Sequence, residues 1–352
     1  MHFVLSRSDY NIEAHGVRRT FGSVADASEA KCAVVGAIPF DTAEPAALTE
    51  PEELLRRDGP WRPSTPSAPL PKVTVGAMTP SLDVHVDRVR SLVRDIRGGS
   101  AQKVVLARAL ELQAESPIEP LALLDALVSK DPLGNGFLAD LSDARPGQFL
   151  IGASPELLVR RRGSSVTCHP FAGTAARSTD PEQDSRIAET LRASAKDQAE
   201  HRFVVDEIRG VLEPLCTSID HPQHPQLSST PQLWHLGTPI SGTLRDPSTT
   251  ALDLALALHP TAAVAGIPRA AAMDAIARIE GPRGFYAGAV GWTDEAGDGD
   301  WMVAIRCLEL AADGLSAVAM AGGGIVAASD PDAELAETTA KFRTVLSAFG
   351  LG

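Results

Sequence analysis

Residues 284–326, GFYAGAVGWTDEAGDGDWMVAIRCLELAADGLSAVAMAGGGIV, are a succession of apolar runs broken by Gly/Asp turns. Strands joined by turns this short can pair only antiparallel, so the segment reads as a meander. The same logic applies upstream. GQFLIGASPELLVRRRGSSVTCHPFAGT reads as strand, turn, strand, tight turn and strand, and KCAVVGAIPF and AQKVVLARALELQ as buried strands. Helical spacing appears between these clusters: SLDVHVDRVRSLVRDIRGG with its Gly-Gly stop, PLALLDALVSKD, residues 184–215 as the longest helical stretch, TTALDLALALHP, and PRAAAMDAIARIEG with Pro268 at its start and Gly281 at its end. Strand clusters alternating with long helices imply an α+β fold with largely antiparallel sheets.

The clearest shift in composition is residues 44–72, which carry seven prolines. Proline at that density predicts an extended connector without regular ladders. Residues 1–80 thus read as a strand-rich segment plus a connector, part of the same fold, with the chemistry in 81–352.

Charge excludes one class of partner. The formal charge is −13 and there is no aromatic-interleaved basic run, so nucleic acid is not expected. No apolar run reaches about 18 residues and the start lacks the pattern of a secretion signal, so no membrane association and a cytoplasmic location are expected. Cys32, Cys168, Cys216 and Cys307 lack metal or redox spacing and read as reduced and structural.

Four carboxylates stand in unusual settings. Glu156 falls in GASPELLVR between apolar strands, and Glu200 falls where the helix of SAKDQAEHRFVV turns apolar. Glu334 and Glu337 follow the glycine triplet of MAGGGIVAASDPDAELAETTAKF, in a helix that Ser329 or Asp330 can cap and Pro331 can begin. Leu335, Phe342, Val345 and Leu346 supply a buried stripe, leaving the two glutamates on another face. They serve either as a solvated acidic face or, with the other carboxylates and no His/Cys cluster, as oxygen donors suited to Mg2+ rather than zinc. Lys103 heads KVVLARAL; it either snorkels to solvent or, buried among apolar neighbours, loses its proton easily enough to act as a base. Arg306, in WMVAIRCLEL, reads as an arginine inside an apolar central strand, which needs an anion of protein or ligand. The glycines of MAGGGIV lack the ending of a phosphate loop and mark close approach of backbone to a ligand or strand.

Nine ordered blocks, among them QKVVLARAL, FLIGASPELLVR, HPFAGTAAR, KDQAEHRFVVDEI, LWHLGTPISG, LHPTAAVAGIPRAAA and VAIRCLEL, resemble the chorismate-utilising enzymes over roughly residues 80–352, most closely their isochorismate synthases. The resemblance implies a single large α/β/α domain with two mainly antiparallel sheets about the active site. It implies Mg2+ held by Glu200 and Glu337 with Glu334 through water, chorismate carboxylates held by Arg306, Gly324 and Lys341, and a pocket lined by Gly173, Thr174, His235, Ala263 and Tyr286. Lys103 stands where anthranilate synthases carry glutamine, and Ala172 where aminodeoxychorismate synthases carry lysine. Together they point to water as the nucleophile, with Lys103 as general base and Glu156 as general acid for the C4 hydroxyl. Tyr286 leans the other way, towards a salicylate synthase that also eliminates pyruvate. The remaining alternative is a catalytically silent chorismate-binding relative. The resemblance further implies no glutamine amidotransferase partner, and a monomer is expected.

Overall fold

The computed structural model describes residues 2–351. Its strands form three sheets, every pairing antiparallel. The first, ten-stranded sheet runs in the order Gly266–Ile267, Lys103–Ala114, Ser316–Val326, Cys307–Leu310, Phe149–Gly152, Gly136–Asp140, His2–Ser6, Tyr10–His15 and Glu53–Asp58, with Val73–Thr79 also on Lys103–Ala114. The second has nine strands centred on Leu157–Arg162, Gly299–Val303, Ala289–Thr293 and Val34–Ile38. The third is small: Phe171–Ala176, Leu233–Gly237 and Gln226–Ser229.

Alternation of side chains explains the layering. Phe3 and Leu5 of His2–Ser6 enter an apolar core shared with the second sheet, whereas Val4 between them joins a separate outer cluster. Phe137 and Ala139 likewise face inward and Leu138 outward. The outer cluster is covered by two helices, Pro120–Lys130 through Leu123, Leu124 and Leu127, and Pro331–Ala348 through Phe342 and Val345. The α+β class with mainly antiparallel sheets is as the sequence implies.

Three local expectations are corrected. The proline segment is not free of ladders: Ala47–Glu50 pairs with Val34–Ile38, and Glu53–Asp58 pairs with Tyr10–His15. Its prolines fall at 45, 51, 60 and beyond, so each strand fits between them and the longest irregular stretch is residues 59–72. Residues 184–215 are not one helix but two, Pro181–Ala193 and Ala195–Leu212. Ser194 ends the first in an extended conformation and caps the second, its hydroxyl accepting from the Asp197 N–H. Arg306 does not lie inside a strand. Gly299–Val303 belongs to the second sheet and Cys307–Leu310 to the first, so the meander changes sheets at residues 304–306. Arg306 makes that turn at φ 54°, the left-handed region that an L side chain occupies only under constraint.

Candidate active site

The crossover puts Arg306 at the inner edge of both sheets, 7% exposed. Around it lies a small cavity of about 60 Å³, lined by Glu156, Thr174, His235, Ala263, Tyr286, Arg306 and Lys341. Each side chain arrives from a different element. Glu156 stands in the turn before Leu157–Arg162, Thr174 and His235 are register partners in the small sheet, and Lys341 projects from the last helix. Seven of the residues singled out by sequence are thus gathered into one wall.

The other six lie just outside it. Lys103 and Glu200 form a buried ion pair, Nζ to Oε1 3.0 Å. A Cβ on Gly324 would collide with the Glu200 carboxylate and reach Lys103 Cε at 2.8 Å, so a glycine here lets both side chains cross the strand. A Cβ on Gly323 would meet Glu334 Oε2 at 3.2 Å and Glu337 Oε1 at 3.8 Å. The glycine triplet is therefore the surface against which Glu200, Glu334 and Glu337 all pack. Gly173, at φ 81°, brings the small sheet against Asp197, whose Cβ lies 3.0 Å from where its own would be. The helix face carrying Glu334 is buried, not solvated: Glu334 is 2% exposed, while Leu335 is only half-buried. Asp330, not Ser329, is the N-cap, accepting from the Ala333 N–H, and Ser329 donates instead to Glu334 Oε1 at 2.6 Å.

Lysine usage at this site is concentrated. The chain has six lysines, and three of them hold the three glutamates: Lys103 on Glu200, Lys196 on Glu334 at 2.9 Å, and Lys341 on Glu337 at 2.5 Å. Sequence reasoning missed Lys196. Its signal was present, because Lys196 precedes Glu200 by one helical turn in a chain where lysine is scarce.

Whether these glutamates suit a divalent cation can be judged from their surroundings. Glu334 Oε2 is buried with no hydrogen-bond partner, and the donors are hard carboxylate oxygens, as Mg2+ prefers. Burial and the neighbouring Glu337 both raise the Glu334 pKa, a strain that a divalent charge would relieve. Among the described residues, however, no three His, Cys, Asp or Glu side chains are arranged about a common point. The lysine ammoniums stand in the positions of counter-charge instead. The donor set fits; the gathering of the carboxylates requires those lysines to release them.

Electrostatics single out Glu156. Burial pushes its carboxyl up to about 7, against a hydrogen bond from the Phe171 N–H and the charges of Lys103, Arg306 and Lys341 that pull it down. A carboxyl poised there can give a proton near neutral pH. Burial also drives His235 well below its usual range, so its imidazole is neutral. Nδ1 pairs with the Thr174 hydroxyl at 3.2 Å and Nε2 has no protein partner.

A cavity with arginine and lysine on its wall, a protonatable carboxyl and a neutral histidine defines an enzyme pocket for a small anionic substrate. Residues 52–350 match the family described as chorismate binding enzyme. A Mycobacterium tuberculosis protein, provisionally named isochorismate synthase MenF, is 50% identical over 349 residues, 96% of this chain and 93% of its own. The isochorismate synthase DhbC of Bacillus subtilis is 44% identical over 328 residues, 90% of this chain and 81% of its own. Among solved structures, a Bacillus anthracis chain provisionally named DhbC, a 2,3-dihydroxybenzoate-specific isochorismate synthase, superposes with TM-score 0.91 at 35% identity, covering 99% of this chain and 96% of that one. The chain belongs to the chorismate-binding enzymes, on the branch whose named members are isochorismate synthases.

Proposed function

We propose that the chain converts chorismate to isochorismate, with water adding at C2 and the C4 hydroxyl leaving. The observation that carries this reading is a buried, protonatable carboxyl, Glu156, on the wall of a cationic cavity, with a buried amine, Lys103, just outside that wall. The substrate is a dicarboxylate, and Arg306 and Lys341 are the wall's cations for it. Glu156, protonated up to about pH 7, gives its proton to the departing C4 oxygen. Lys103 takes the proton of the attacking water. It is free to do so once Glu200, now 3.0 Å from its Nζ, is engaged elsewhere. His235 and Thr174 orient the ring by hydrogen bonding.

Glu200, Glu334 and Glu337 are the residues that would hold Mg2+, which would neutralise a substrate carboxylate and spread charge during the displacement. A cavity of about 60 Å³ admits only a few waters, well below the ~300 Å³ where ligand pockets begin. Lys341, on its wall, is paired with Glu337, so parting that ion pair is a route to widening it.

The test is incubation with chorismate and Mg2+, with and without chelator and ammonium, resolving products by chromatography. Isochorismate approaching an equilibrium mixture, abolished by chelator and indifferent to ammonium, is the expected outcome; that indifference also fits a chain with no amidotransferase partner. Salicylate with pyruvate would assign the lyase step that Tyr286 hints at. No consumption of chorismate would leave a binding protein.

A further inference from the structure

Next to the substrate cavity lies a second one of about 350 Å³, on the same face of the first sheet. The two share Tyr286 and Met320 as a common wall. Val105 of the Lys103–Ala114 strand borders the substrate side, and Ala107 and Ala109, two and four residues on, floor the second. The Tyr286 hydroxyl sits toward Gly322, which lines the substrate cavity; a Cβ there would meet it at 3.1 Å. Any molecule filling the second space therefore packs on a residue that also bounds the first.

The volume is within the range of small-molecule sites. The apolar part comes from Pro80, Ala107, Ala109, Leu150 and Pro282. Its charges are largely spoken for. Arg283 is fully engaged, with Glu280 at 2.8 Å and the carbonyls of Val264 and Val105, each at 2.8 Å. Arg145 pairs with Glu309, which also accepts from the Phe285 N–H. Arg88, projecting from the Leu82–Arg97 helix, has neither ion pair nor hydrogen bond among the described residues. One uncompensated cation over an apolar floor, flanked by two carboxylates, suits a ligand with a single negative charge and a flat or cyclic apolar body. With the other charges paired among themselves, a second carboxylate would find no free cation here, which separates this space chemically from the substrate cavity with Arg306 and Lys341.

We propose that this second cavity is an effector site for a small cyclic monocarboxylic acid, held by Arg88 and acting on turnover through Tyr286. The proposal goes beyond the reaction assigned above, and its binding arm is read without turnover, so failure of either reading is recognised separately. Calorimetric titration of the full chain with benzoate and with cyclohexanecarboxylate, phthalate serving as the dicarboxylate control, measures it. The monocarboxylates are expected to bind at millimolar concentration or below and phthalate more weakly. Arg88→Met weakens them by about tenfold or more, Arg88→Lys by less, and Arg306→Met leaves them unchanged. Basal turnover and Tm of Arg88→Met stay at the parent values, while bound benzoate alters the parent's kcat without raising its KM for chorismate. Absence of heat with both monocarboxylates overturns the proposal. So does binding that survives Arg88→Met or vanishes with Arg306→Met, since the ligand would then occupy another site or the substrate cavity itself.

Discussion

Glu156 carries the most specific consequences at the scale of one residue. Its carboxyl is ordinarily half-ionised near 4.5 and in the fold near 7, so the folded chain binds that proton more tightly than the unfolded one. This group's contribution to stability is therefore greatest below about 4.5 and declines as pH rises through 7, opposite in sign to a salt-bridged acid. The same ionisation removes the proton donor, so kcat falls above about pH 7. Glu156→Gln is expected to lower kcat at least about a hundredfold and to abolish that alkaline limb, while Tm holds or rises at pH 8; a pH–rate profile beside a melting curve reads both. Lys196 gives a second prediction. Lys196→Met leaves Glu334 buried without its counter-charge, so Tm falls without Mg2+ and is recovered by adding it, and the Mg2+-induced rise exceeds the parent's. If Mg2+ shifts neither Tm, the glutamates do not form a cation site. Of the residues that matter here, Glu156, Glu200 and Arg306 were legible because a charge in an apolar run is costly and must be explained. Lys196 carried only the weaker signal of its place one turn before Glu200, and its partner Glu334 lies on another helix that spacing alone does not bring to it.

At the scale of elements, the Ser316–Val326 strand and the Pro331–Ala348 helix behave as one device. The strand presents a glycine surface, and the helix brings Glu334, Glu337 and Lys341 down onto it. Gly324→Ala keeps a permitted backbone but drives a methyl into the Glu200 carboxylate and Lys103, so turnover is expected to collapse by more than about tenfold with far-ultraviolet circular dichroism unchanged. Near-parent turnover would remove the glycine surface from the mechanism. Loss of the helix cap by Asp330→Ala should cost about 1 kcal/mol, read as a shift in the urea midpoint at constant slope. Capping and proline placement made this helix visible in the sequence. The break at Ser194 went unseen because no glycine or proline marks it in the sequence.

For the whole molecule, the first 60 residues are stitched into both sheets. His2–Ser6 pairs with Gly136–Asp140 in one, and Val34–Ile38 pairs with Ala289–Thr293 in the other. A fragment of residues 81–352 would expose two long apolar edges and half of the shared core. It is expected to lack a cooperative thermal transition and to aggregate, whereas the full chain melts cooperatively; a cooperative melt of the fragment would make the N-terminal strands an appendage. No helix among the described residues is long and apolar enough to cross a membrane. Antiparallel meanders, capped helices and misplaced charges were determined by the sequence itself, because each rests on interactions within a few residues: side-chain period, a proline's fixed φ, the expense of a lone buried charge. The change of sheets at residues 304–306, the convergence of three lysines on three glutamates, and the depth at which Glu156 is held were decided only in three dimensions. Those features depend on which distant strands lie side by side, and a pattern with period two describes either sheet equally well.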